Sequence, residues 1–329
     1  MKEEHGIPFK FAGRMAVVSL AVVILLSFMP LCSAGDNGGG KSGGSGKKSK
    51  EGDKLEAEGS IFFPTYIAEG TVYTRGVADM PLAKNSAEIA KSMAAMPAKF
   101  NDKGVTSSLN AVFFNLPIYV VDSRDPKTPK VKVVHPAGDY RIPNEGMNKI
   151  LFADNIPIPE YAKSANPVDG GDHSMAIYDI GTGIIREYFY MMKQEDGSWM
   201  ASWGGYYEGM FDLAKNNYAC QHTAGSDFVV GMIGGPCQIG VEEARRGEIR
   251  HAVGLMIPSA LAGVASWPAK GSDGKNEFKD PNVPALGQWF RLPPDLKIKR
   301  LHLKPMTELI ALAVQKYGGI PTDTNGFCH

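Results

Sequence analysis

Apolar residues in this chain recur mainly at every second position. The runs "LPIYVVDS" (116–123), "KVKVVHP" (130–136), "HSMAIYDI" (173–180), "GIIREYFYMMK" (183–193), "GSWMASWGG" (197–205) and "EIRHAVGLMIP" (248–258) are β-branched, aromatic or alternating, and Gly, Pro, Asp and Asn bound them. That period and composition predict strands. Three of the runs predict an antiparallel meander over 173–180, 184–193 and 198–203, turning at "GTG" (181–183) and at Asp196-Gly197. Only two segments carry a helical period. In "NSAEIAKSMAAMP" (85–97), Asn85 is placed to cap, Glu88 to complete a capping box and Pro97 to stop the helix. In "MTELIALAVQKYGG" (306–319), Leu309, Ile310, Leu312 and Ala313 form an apolar stripe with Gly318 as the stop. With 38 glycines and 22 prolines favouring turns over long helices, the expected fold is all-β dominated, a single β-sandwich or jelly-roll domain with a few peripheral helices.

The N-terminal pattern breaks this rhythm. Residues 1–14 carry Lys2, Lys10 and Arg14; the apolar run "MAVVSLAVVILLSFMPL" follows, and then the small-residue end "CSA". A secretory signal peptide over 1–34 is expected, cleaved after Ala34. A lipoprotein reading places Pro30 and Leu31 before Cys32, where small residues are wanted. An uncleaved anchor is the other alternative, because the run nearly spans a ~30 Å hydrocarbon core. Residues 35–58 lack aromatic side chains and mix Gly, Ser and Lys, the composition of a flexible linker. The domain is expected over 59–329.

Charge narrows the class of partner. The leader would remove three basic and two acidic residues of 35 each, leaving a balanced chain without the basic surface that nucleic-acid binding requires. Of the remaining cysteines, Cys220 and Cys237 are expected to bridge one loop, leaving Cys328 free or paired between chains. No CxxC pair, phosphate loop, GxSxG elbow or HExxH motif is present. Asp273, Asn276 and Asp280 lie in an Asp/Asn/Gly-rich loop that offers a weak calcium reading, without calcium-hand spacing. No other cofactor is implied.

Candidate chemistry comes from polar residues that interrupt apolar faces. His251 shares a strand face with Ile249, Val253, Leu255 and Ile257; His173 alternates with Met175 and Ile177; Glu187 alternates with Ile185, Phe189 and Met191. A carboxylate there needs a partner, and a Glu–His pair is either an acid and base or a buried structural pair. Trp199, Trp203, Tyr206 and Tyr207 cluster on and after one strand, as core or as a sugar platform.

Further segments, "PLAKNSAEIAKSM", "NIPIPEYA", "GGDHSMAIYD", "REYFYMMKQEDGSWMASWGG", "GEIRHAVGLMIP", "PNVPALGQWFRLPPDL" and "IALAVQKYGGI", occur in an order that resembles a group of secreted bacterial proteins frequent in actinobacteria. The likeness spans residues 62–320. It implies matching residues at Asp172, Glu187, Trp203, Gly204, Gly205, Gly247, His251, Ala252, Asp280, Pro281 and Arg291, and makes the cysteine bridge particular to this chain. No established activity comes with it. The resulting expectation is a secreted protein that acts on or binds extracellular polysaccharide. As an enzyme, a lyase or hydrolase, it would use Glu187 with His251 or His173. Trp203, Tyr206, Arg291, Asp172 and Asp280 would contact the glycan. The alternative is a non-enzymatic envelope or adhesion component.

Overall fold

The computed structural model describes residues 71–100, 109, 115–165, 171–210 and 229–325, with the backbone alone for 97–100. In chain order its main elements are α1 (Ser86–Phe100), β1 (Ile118–Val121), β2 (Lys130–Val131), β3 (Val133–Val134), α2 (Glu145–Ile150), β4 (Ile156–Pro157), β5 (Met175–Asp179), β6 (Ile184–Lys193) and β7 (Trp199–Tyr207). After these come α3 (Val241–Arg246), β8 (Val253–Ile257), α4 (Pro305–Tyr317) and β9 (Gly319–Thr324).

The meander is present. β5, β6 and β7 pair antiparallel in sequence order, and Gly183 and Gly197 supply the positive φ angles their turns need. Around them the sheet is mixed: β1 joins β5 and β3 joins β7, both in parallel, giving the order β1-β5-β6-β7-β3. Two further sheets have two strands each, β2 with β4 and β8 with β9.

The all-β sandwich expected from the strand runs is therefore overturned. The chain is about 20% helix and 22% strand, and among the described residues no second sheet of comparable size packs on the first. A sandwich sheet needs one solvated face, yet every residue of β5 is buried, because both faces of the central sheet are covered. Ala176, Tyr178, Ile185 and Tyr207 join one core with Met232, Ile233, Leu255, Ile257 and Ile320. Met175, Ile177, Tyr188, Met191, Trp199 and Ala201 join another with Met147 and Leu151 of the α2 region. Helices and irregular segments supply much of this cover. Alternation identified the strands without revealing this. The run at 130–136 also divides, Lys130–Val131 pairing with β4 and Val133–Val134 with β7.

The helices differ in detail from expectation. Pro97 does not end α1, which continues to Phe100; Pro97 lies in its last turn, where one lost N–H bond leaves the rest of the helix intact. In α4 the buried face is Leu309, Ile310, Ala311, Ala313, Val314 and Tyr317, whereas Leu312 is exposed. Leu309, Ile310 and Ala313 of the expected stripe are buried, and Leu312 alone falls outside the buried face. Gly318, at φ 82°, closes the helix and turns the chain directly into β9.

Close approach of β6 and β7 depends on Gly204, where an added Cβ would lie 2.5 Å from the Glu187 carbonyl oxygen and 3.3 Å from Leu151 Cδ1. Gly204→Ala is expected to destabilise the protein by about 1–3 kcal/mol through overpacking. Chemical denaturation measures this; an unchanged midpoint would contradict the tight strand spacing.

Candidate functional site

Two of the polar residues that interrupt apolar faces are consumed by the interior. Glu187 is fully buried, and its carboxylate accepts the backbone N–H groups of Gly234 (3.1 Å) and Gly235 (2.6 Å). These donors open a single 3-10 turn, Gly235–Cys237, so the side chain supplies acceptors that the turn's start requires. His251 is fully buried too, in a bend just before β8 and not within the strand. Its Nδ1 lies 2.8 Å from the Ala252 carbonyl oxygen and its Nε2 3.0 Å from Glu243 Oε2. The carbonyl can only accept, so Nδ1 carries a hydrogen, and the Nε2–Oε2 contact holds one shared proton. Glu243 Oε2 also accepts the Gly240 N–H at 2.8 Å, capping α3. His251 and Glu187 thus sit without solvent access, each in its own backbone-anchored network.

His173 does not meet Glu187. Glu187 pairs in register with Ala176, whereas the Met191 N–H donates to the His173 carbonyl oxygen. Other expected contact residues have structural partners. Tyr206 is 3% exposed and Trp203 is half-buried against the α2-side core. Arg291 Nη1 donates to the carbonyl oxygens of Val77 (2.7 Å) and Met80 (2.6 Å), clamping that turn. The Asp280 carboxylate accepts from Ser92 Oγ and from the Asn282 N–H, joining α1 to the loop. Cys237 is a buried free thiol whose pKa is raised by burial and then by the Glu187 charge. Its expected partner Cys220, like Cys328, lies outside the described residues.

The surface at the far end of the meander is built differently. His173 (φ 47°) and Tyr190 (φ 57°) both occupy left-handed backbone, a conformation that costs a non-glycine residue roughly 1–3 kcal/mol. They face each other: the Tyr190 N–H donates to the Asp172 carbonyl oxygen at 2.7 Å, and the two rings meet edge to face at 5.2 Å. In a regular strand Tyr190 would follow Tyr188 into the core. The left-handed residue instead gives that face to Met191 and turns the Tyr190 ring to solvent, 39% exposed. Phe189 lies beside it, ring centroids 5.9 Å apart. Next along the row is the Arg141 guanidinium, 5.2 Å from the Phe189 centroid and 4.4 Å from that of Tyr140. Tyr140 is 82% exposed. A row of planar groups, Tyr140, Arg141, Phe189 and Tyr190, therefore runs along one part of the surface, with the buried His173 ring packed against its Tyr190 end.

Asp172 connects this row to carboxyl groups. Asp323, at the end of β9, has its pKa raised to about 8, by burial first, then by the charge of Asp273 and more weakly by that of Asp172. Thr324 touches both partners, its N–H donating to Asp323 Oδ1 (2.7 Å) and its hydroxyl to Asp273 Oδ2 (2.8 Å). Burial also raises the Asp172 pKa, opposed by His173. The arrangement thus combines an exposed carboxylate, Asp273, with a neighbouring carboxyl that retains its proton near neutral pH, a pairing suited to acid–base work. Asp273, Asn276 and Asp280 do not converge as calcium ligands: Asn276 Nδ2 donates to the Asp280 carbonyl oxygen, and Asp273 turns to Thr324. Among the described residues, no group of three or more His, Cys, Asp or Glu side chains is placed to hold a metal ion.

Asp172 borders this surface and His173 lies buried against Tyr190, but Tyr140, Arg141, Phe189, Tyr190 and Asp323 were not singled out from sequence as contact residues. "YRIP" reads as loop, and Tyr190 falls on the strand face opposite Ile185, Glu187, Phe189 and Met191, where alternation gave no ring a role. Comparison of the chain with protein-family models, with curated proteins and with solved structures gave no match.

His251→Ala is expected to lower stability by about 3–5 kcal/mol, because it leaves the Glu243 carboxyl buried beside a lost partner. Equilibrium unfolding tests this, and a loss below 1 kcal/mol, roughly the worth of an exposed pair, would contradict the buried network. Asp323 gives a pH signature. Its folded pKa lies above the ordinary ~3.9, so between about pH 4 and 8 the folded state binds a proton that the unfolded chain has released. Stability contributed by this group falls as pH rises through that window and levels off above it. Thermal melts should therefore show Asp323→Asn gaining on the parent protein from pH 4 to 8; parallel curves would refute the shift.

Proposed function

We propose that this chain is an exported protein that engages extracellular polysaccharide through the row Tyr140, Arg141, Phe189 and Tyr190. One observation carries the reading: Tyr190 is turned out of the core by a left-handed residue inside a central strand, onto a surface where other planar groups already stand. Sugar rings present axial C–H groups that pack on aromatic faces, and a row of rings suits successive units of a chain. Strained backbone concentrates where a side chain must be aimed, and here the strain aims a ring at solvent. The leader and linker expected over residues 1–58 fit an extracytoplasmic setting.

A second reading, hydrolysis of the bound glycan, is favoured by Asp323 and Asp273. Asp323 would donate its proton to the leaving glycosidic oxygen, and Asp273 would take a proton from the water that attacks the anomeric carbon. This pair replaces Glu187 and His251 in the catalytic role, since those two are enclosed by protein.

A panel of plant, algal and bacterial polysaccharides, read by affinity electrophoresis and by new reducing ends, tests both. Retardation that Tyr190→Ala weakens by about tenfold, near the worth of one good stacking contact, supports binding. New reducing ends that disappear in Asp323→Asn, without the ultraviolet absorbance of unsaturated uronates, support hydrolysis. No retardation by any polymer would overturn the proposal and favour a non-enzymatic envelope component.

A further inference from the structure

We infer that the glycan recognised by this surface is acidic, carrying a carboxylate or sulfate ester that pairs with Arg141; this rests on the polysaccharide reading above. Arg141 is held without being used up. Its backbone N–H donates to Asp139 Oδ1 at 2.9 Å, and Nη1 reaches the same carboxylate only at 3.4–3.5 Å. The Asp139 carboxyl is itself occupied, kept below the usual carboxylate range by the Arg141 main-chain N–H, with Ser202 also donating to it. Among the described residues, none bonds to Arg141 Nε or Nη2. Those two nitrogens form one edge of the guanidinium fork, which matches the paired oxygens of a carboxylate or sulfate.

Placement favours a ligand over solvent alone. The side chain is 27% exposed and its plane is flanked by the Tyr140 and Phe189 rings, which restrict its rotamers and partly desolvate the cation. An immobilised, partly dehydrated guanidinium binds an oxyanion with less entropy lost than a free surface arginine. A pyranose packed on an adjoining ring would bring a substituent within reach of the fork. Arg291, the residue expected from sequence to neutralise a uronate, has Nη1 engaged by the Val77 and Met80 carbonyl oxygens.

The full chain is tested by affinity electrophoresis against polygalacturonate and its carboxyl-reduced form, and against dextran sulfate and dextran. The expected result is retardation by an acidic polymer at least about tenfold stronger than by its neutral counterpart, the scale of one charge-assisted hydrogen-bonded pair. Arg141→Gln should erase that preference with an unchanged melting temperature, and Arg141→Lys, which keeps charge but loses the fork, should restore only part of it. The pair of polymers that shows the preference identifies carboxylate or sulfate as the partner. Equal retardation by acidic and neutral polymers, or an undiminished preference in both folded variants, overturns the acidic assignment and leaves the polysaccharide reading standing. No retardation by these or any other polysaccharide overturns both.

Discussion

A carboxylate enclosed by protein must find its hydrogen bonds there, and Glu187, in β6, finds them in the N–H groups of Gly234 and Gly235. Much else depends on that bond. It fixes the segment around residues 229–238 against the sheet, beside Cys237, whose Cβ would lie 3.3 Å from any Cβ added at Gly254 in β8. Gly235 itself has room only for hydrogen, since a methyl there would approach Ile185 Cδ1 to 2.9 Å and Glu187 Oε1 to 3.1 Å. The central sheet and the small parallel sheet of β8 and β9 are therefore joined through a buried polar contact as well as through shared apolar packing. Removing the carboxylate would leave two donors unanswered in a place water does not reach.

Glu243 and His251 repeat this logic at the entrance to β8, with one difference. Glu187 receives the backbone hydrogens of Gly234 and Gly235, whereas Glu243 is joined to a side chain, with one proton between its Oε2 and the His251 Nε2. Both pairs hold irregular chain to regular structure.

Local pattern made some of this visible and long-range cover made the rest invisible. The meander, its two glycine turns and both long helices were legible because each depends on neighbours within about ten residues. The parallel partners β1 and β3 were not, since nothing local specifies which distant strand a short apolar run will join. The sandwich failed because short strand runs bounded by turns say nothing of what covers each face, and β5 is dry on both. His251 was rightly placed on the apolar side, though it lies outside β8 and its partner Glu243 belongs to a helix too short to stand out in sequence. Within the candidate site, His173 was legible as a polar break on an apolar face, and Asp172 only through the resemblance. Tyr190 was not, because alternation placed it opposite Ile185, Phe189 and Met191, on a face where nothing set one ring apart from its neighbours.

The left-handed turn at Tyr190 changes the face of a strand while leaving its pairing with β7 in register. From Ile185 opposite Tyr207 to Lys193 opposite Trp199, the pairing of β6 with β7 keeps a constant offset, so no residue is inserted. A bulge would have achieved the same reversal by adding a residue and shifting everything beyond it. Here the two sides of position 190 are independent: Met191 and Tyr188 keep the core filled whatever side chain is presented outward. The surface can accordingly drift in sequence, exchanging one ring for another or for a polar group, while the sheet beneath has no reason to move.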